Sequence, residues 1–71
     1  MNEETDLKEK ILEFIKNRSG INETTATRHI HRRFGMPEEE VEKIVNELFD
    51  ENKIKKIYDE EYQEDRFKIA F

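Results

Sequence analysis

The thirty residues from Thr25 to Ile54, TATRHIHRRFGMPEEEVEKIVNELFDENKI, decide how this chain folds. Ala26, Ile30 and Phe34 recur every fourth residue, which predicts a helix over 24–34 with Asn22 or Thr24 as its cap. Gly35-Met36 follows as a turn, with Gly35 expected at positive φ. Pro37 suits the first position of a further helix over 37–51, where its missing N–H is not needed. Glu38, Glu39 and Glu40 favour that helix's positive N-terminal end. Val41, Ile44, Val45 and Leu48 form its apolar stripe, and Asn52 is placed to stop it in the left-handed region.

On the N-terminal side, TDLKEKILEFIKNR predicts a helix over 5–18. Thr5 or Asp6 would cap it, Leu7, Ile11, Phe14 and Ile15 would share its apolar face, and Gly20 would end it in the left-handed conformation. Residues 1–5 are expected to be disordered. Ile21 is a lone apolar residue, read as a very short strand or an extended link. After Asn52 the period changes. In DRFKIAF, Phe67, Ile69 and Phe71 alternate with Arg66, Lys68 and Ala70, as in a half-buried strand. KIKKIYD is less regular, because Ile54 and Ile57 cannot share a face without a bulge. DEEYQED between them reads as the loop of a hairpin spanning 53–71.

Composition sets limits on what this fold can be. Seventy-one residues make one domain, 1–71, and the absence of cysteine leaves neither disulfides nor thiolate metal sites to staple it. Apolar residues make up 34% and charged residues 44%. Such a balance suits disorder, but the apolar residues are periodic, which favours folding. No apolar run is long enough to span a bilayer, and MNEETDLKEK lacks a signal-peptide core. The expectation is a cytoplasmic protein, with nucleoid and nucleus included, that engages no membrane. A net charge of −5 opposes broad attraction to phosphate backbones or anionic lipid.

The series Ala26, Ile30, Phe34, Gly35, Met36, Val41, Ile44, Val45, Leu48, Asn52 and Ile54 resembles the winged helix-turn-helix superfamily over nearly the whole chain. The resemblance implies an α+β domain of three helices followed by a C-terminal β-hairpin wing. Glycine and an apolar residue would make the tight turn between the second and third helices. His31 departs from the family, standing where a small residue is usual. The closing NKIKKIY and RFKIAF are similar to the hairpins that end two kinds of winged-helix module. These are the C-terminal domain of the replication protein A small subunit and the one that ends archaeal replicative helicases. Such domains bind duplex DNA in transcription regulators and dock proteins in replication machinery, and a fold alone does not choose between these roles.

Charge distribution bears on that choice. Between Pro37 and Asn52 stand seven acids (Glu38, Glu39, Glu40, Glu42, Glu47, Asp50, Glu51) and one base, Lys43. Glu38, Glu39 and Glu42 are expected to face outward, where a DNA reader brings Arg, Lys, Asn or Gln to base edges. Carboxylates there would be repelled by the flanking phosphates with no counterion release to offset it. Glu is also simply a good helix former, which explains its presence without fitting the helix to read DNA. Bases collect elsewhere, as Arg28, Arg32 and Arg33 on the second helix and Lys53, Lys55 and Lys56 at the start of the wing. They can contact phosphates, or pair with glutamates of the neighbouring helix.

Leu12, Phe49 and Tyr62 are left over by the helical wheels and are read either as interface anchors or as the finish of a small core. His29 and His31 diverge by about 200° on a helix, so they cannot chelate one metal. His31 is read as a partly buried packing residue whose proton could pass to a neighbouring Glu. Ser19, the only serine, has no evident base, and there is no glycine-rich phosphate loop. The expected protein is therefore not an enzyme, uses no cofactor and takes no small-molecule substrate. Its acidic helix, with Leu12, Phe49 and Tyr62, would meet a basic protein surface. The alternative is a transcriptional regulator that contacts phosphates through Arg28, Arg32, Arg33 and the wing lysines, with nucleic acid held weakly.

Overall fold

The computed structural model describes residues 3–70, with side chains from residue 6 onward. Six elements follow one another: α1 (Glu3–Gly20), β1 (Thr25–Ala26), α2 (Thr27–Phe34), α3 (Glu38–Asp50), β2 (Ile54–Asp59) and β3 (Glu64–Ile69). The strands form one antiparallel sheet in the order β1-β3-β2. The result is an α+β chain of three helices and a three-stranded sheet, compatible with the expected winged helix.

Each helix ends on a residue in the left-handed region: Asn22 (φ 62), Gly35 (φ 65) and Asn52 (φ 61). At Asn22 and Asn52 the closure is a Schellman motif. The Glu23 N–H donates to the Arg18 carbonyl and that of Asn22 to Ser19. Likewise Lys53 donates to Leu48 and Asn52 to Phe49. Gly35 closes α2 with a single bond to the His31 carbonyl at 2.9 Å. A Cβ at Gly35 would meet nothing within 4 Å, so the demand for glycine comes from the backbone conformation itself.

Several boundaries differ from expectation. α1 starts at Glu3, ahead of Thr5 and Asp6, so residues 3–5, expected to be disordered, are helical, as suits acids at a helix's positive N-terminal end; Met1 and Asn2 lie outside the described residues. α1 continues through Gly20, and Asn22 takes the left-handed turn expected of that glycine. Ile21 is 68% exposed in the turn, and the short strand forms at Thr25–Ala26 instead. There Thr25 opposes Phe67 and Ala26 opposes Arg66, so sheet pairing delays α2 to Thr27 and displaces Asn22 and Thr24 as caps. Ala26 occupies the cap position, and the His29 ring reaches back to accept its N–H at 2.9 Å. Pro37 stands just before α3 rather than within it.

β2 runs in unbroken register with β3, from Ile54 opposite Ile69 to Asp59 opposite Glu64. No bulge is needed, because Ile54 faces the core (2% exposed) and Ile57 faces away from it (46% exposed). The loop of residues 60–63 is pinned by the Asp59 carboxylate, which accepts the N–H groups of Glu61 and Tyr62. Gln63 makes the return at φ 52. Phe71, expected to extend the alternation, lies outside the described residues.

The core joins Ile11 and Ile15 of α1, Ile30 of α2, Met36 and the α3 stripe Val41, Ile44, Val45 and Leu48 to Ile54 and Phe67 of the sheet. Leu7, Leu12, Phe14 and Phe34 pack against it, with the Phe14 and Phe34 rings edge to face at 5.7 Å. Polar side chains close its border. Thr25 is fully buried and accepts from Arg18 Nε at 3.0 Å, while Arg18 also donates to the Thr24 carbonyl. Ser19 donates to the Ile15 carbonyl and accepts the Ile69 N–H, tying α1 to β3.

Leu48 is 1% exposed at the centre of this cluster. Leu48→Ala is expected to destabilise the chain by about 2–5 kcal/mol in urea denaturation, from lost transfer energy and the cavity left behind. An unchanged denaturation midpoint would show that the core face is misassigned.

The His29 pKa lies below its ordinary 6.5, because burial disfavours the cation and Arg18, Arg28 and Arg66 add repulsion. The unfolded chain therefore takes up the proton first. Stability present above pH 6.5 is lost as the pH falls toward the lower folded value. Glu51 and Glu64, with pKa values held below 4.5, add their own loss only in more acidic solution. His29→Gln keeps an acceptor for the Ala26 N–H but cannot titrate. Denaturation between pH 6.5 and 5 should show a steeper loss in the parent than in the variant, and equal slopes would contradict this role.

Candidate functional site

The exposed surface of α3 divides into three strips. On one flank, Glu47 and Glu51 face α1. Lys8 lies 3.5 Å from Glu47 and also pairs with Glu51, which a second lysine, Lys53, reaches at 3.2 Å. These contacts hold the Glu51 carboxyl below its ordinary pKa, the Lys8 bond foremost, and the same bond raises the Lys8 ammonium. Two of the seven acids are thus engaged within the chain. Glu39 and Asp50 lie on the central, solvent-facing strip. On the other flank, Glu38 and Glu42 line a cleft shared with Thr27, Arg28 and Lys56 and with Glu64 and Asp65 of the hairpin. Glu38, Glu39 and Glu42 are all exposed, as expected. The structure splits them between this cleft and the open face.

The bases are less available than the sequence suggests. Arg28 turns to the hairpin, where its Nε and a terminal nitrogen reach the two Glu64 oxygens at 3.1 and 3.3 Å. That bond raises the Arg28 pKa and, chiefly for the same reason, lowers that of Glu64. Two guanidiniums stand over the Tyr62 ring, that of Arg28 at 5.5 Å and that of Arg66 at 5.4 Å. Arg66 Nε lies 3.1 Å from Glu64 and 3.4 Å from Asp59, close enough for ion pairing but without an aligned hydrogen bond. Lys56 stands over the Phe49 ring at 4.6 Å, and Arg33 over Phe34 at 5.5 Å. Arg32 and Lys55 reach solvent with no partner among the described residues. Of the six bases read as phosphate contacts, these two alone are fully unengaged, and the partner of Arg28 is the hairpin rather than the neighbouring helix.

The three apolar candidates separate. Leu12 is half-buried and packs on the core, because α1 lies against β3 and α3, and so it is no exposed anchor. Phe49 is 40% exposed and Tyr62 60% exposed, and both carry cations on their faces. His31 is exposed rather than partly buried, and its ring contacts the Met36 carbonyl rather than a glutamate. Because Gly35 turns the chain sharply, that carbonyl comes back to the ring. Among the described residues no group of three or more His, Cys, Asp and Glu is arranged to hold a metal ion, and no helix is long and apolar enough to cross a membrane.

The cluster of Arg28, Tyr62, Glu64 and Arg66 has no local signature in the sequence. Its members are up to 38 residues apart, from Arg28 to Arg66, and only β1–β3 pairing brings them together. His29 as a cap is equally hard to foresee, its one local sign being its place three residues after Ala26. No family model, no curated protein and no solved structure matches the chain.

The cluster predicts a local effect. In Arg28→Ala, amide exchange at Glu61, Tyr62 and Glu64 should accelerate while the amides of α1 and α3 keep their protection. Unchanged exchange in the loop would show that Arg28 does not hold the hairpin.

Proposed function

We propose that this chain is a non-catalytic winged-helix module of nucleic-acid machinery that docks onto a basic surface of a protein partner. The observation that carries this reading is the charge of α3. Glu38, Glu39 and Glu42 lie exposed along the helix that a winged-helix DNA reader would insert into the major groove, and none of them has an ion-pair partner among the described residues. Carboxylates at that place repel phosphate and attract Lys and Arg side chains. Phe49, half-exposed at the end of the same helix, supplies an apolar anchor beside the acids. The order of helices and sheet supports the winged-helix part of the reading, and the engagement of Arg28, Lys53, Lys56 and Arg66 within the chain argues against phosphate binding. A cytoplasmic or nucleoid location follows from the same proposal.

The test is a titration against mixed-sequence duplex DNA at two salt concentrations, followed by fluorescence anisotropy. Binding should be no tighter than the ~10⁻⁴–10⁻⁶ M of nonspecific contact. The triple variant Glu38→Lys, Glu39→Lys, Glu42→Lys should bind more tightly and with a steeper salt dependence. Sequence-specific binding by the parent at nanomolar Kd in physiological salt, lost when α3 is altered, would overturn the docking proposal in favour of the transcriptional-regulator alternative.

A further inference from the structure

β2 is an edge strand. In the order β1-β3-β2 only one side of its backbone is paired among the described residues, which leaves the N–H and C=O groups of alternate residues without ladder partners there. Its side chains are exposed from Lys55 to Tyr58, including two large apolar ones, Ile57 at 46% and Tyr58 at 59%. Lysines on an edge commonly repel a second strand. Here the order of charges matters more. Lys53, Lys55 and Lys56 stand before or beside Ile57-Tyr58, while Asp59, Glu60 and Glu61 follow it. A segment basic at one end and acidic at the other repels a parallel copy of itself and attracts an antiparallel one.

We propose that β2 pairs antiparallel with β2 of a second copy across a two-fold axis at Ile57, joining two sheets into one of six strands. Opposed side chains must lie on the same face, so a symmetric register has to be centred on a residue. Centring on Lys55 or Lys56 sets that lysine against itself. Centring on Tyr58 sets Ile57 against Asp59 and takes the acids for both lysines from the turn. Centring on Ile57 sets the two isoleucines against each other, Lys56 against Tyr58 and Lys55 against Asp59, all within the observed strand. Lys53 then meets Glu61 at each end. The exposed apolar residues are covered and every lysine opposes an acid or an aromatic ring.

Few residues take part, so the contact falls below the ~1,200 Å² of a stable complex, and association should require high concentration. Sedimentation equilibrium up to about 1 mM, where a free energy of roughly −4 kcal/mol suffices, should show a monomer–dimer equilibrium. Ile57→Lys, and independently Lys55→Glu, should shift it to monomer while the thermal melt stays that of the parent, since both positions are exposed. The chain has no cysteine of its own, so single cysteines report the register. Ile57→Cys should cross-link under mild oxidation roughly tenfold or more faster than Lys68→Cys on the central strand, because an aligned pair has a high effective concentration. A monomer at every concentration, a dimer indifferent to both Ile57→Lys and Lys55→Glu, or equal cross-linking at the two positions would overturn the proposal. An acidic peptide that adds to the same edge while the chain alone stays monomeric would do so as well.

Discussion

β3 must be paired along both edges at once, and the rest of the structure depends on that constraint. Its partner on one side is the six-residue β2, joined to it by a short loop. On the other side it has only Thr25 and Ala26. Two residues of pairing are weak alone, and side chains reinforce them. Ser19 accepts the Ile69 N–H, Arg18 holds both Thr24 and Thr25, and Arg66 reaches the Thr24 hydroxyl at 3.3 Å. This clamp fixes where α2 begins, because Ala26 leaves the strand and enters the helix cap in a single step. It also brings Arg28, the second residue of α2, beside Glu64 at the start of β3. The hairpin is therefore oriented by the helix, and the cleft between them has defined walls.

The same clamp decides which charges are engaged within the chain and which stay exposed. α3 is held to α1 by Lys8 on one flank and faces the hairpin on the other, so its acids divide by position rather than acting as one cluster. Glu47 and Glu51 serve the fold. Glu38, Glu39 and Glu42 remain unpaired among the described residues and exposed, and most of the bases that could have offset them are drawn to Glu64, Glu51 or aromatic faces. Electrostatic complementarity of this kind governs the choice of partner and the rate of encounter more than affinity. In the proposed docking, the half-exposed Phe49 beside the acids would supply the apolar contribution that charge alone does not.

Much of this fold was legible in the sequence, for a local reason. The stripes Ile11–Ile15, Ile30–Phe34 and Val41–Leu48 have helical spacing, and the stop signals at Gly35 and Asn52 are conformational preferences of single residues. β1 was not legible. Thr25 and Ala26 carry no period of their own, and their strand exists only because Phe67 and Arg66 lie opposite them. Ile54 and Ile57 looked irregular when both were assigned to one face, and the half-exposed Ile57 resolves this by facing outward. At the site, the exposure of Glu38, Glu39 and Glu42 could be read from the helical wheel. The engagement of Arg28 could not, since it depends on a strand 36 residues away.

In the proposed function, α3 offers its acids to a basic protein surface instead of entering a DNA groove. Backbone amide shifts of the labelled chain, mapped once with a lysine-rich peptide and once with a mixed-sequence duplex, test it most directly. The peptide should move the amides around Glu38, Glu39, Glu42 and Phe49, while the duplex should leave them in place and at most perturb Arg32 and Lys55. Saturable duplex-induced shifts centred on α3, with none from the peptide, would contradict it.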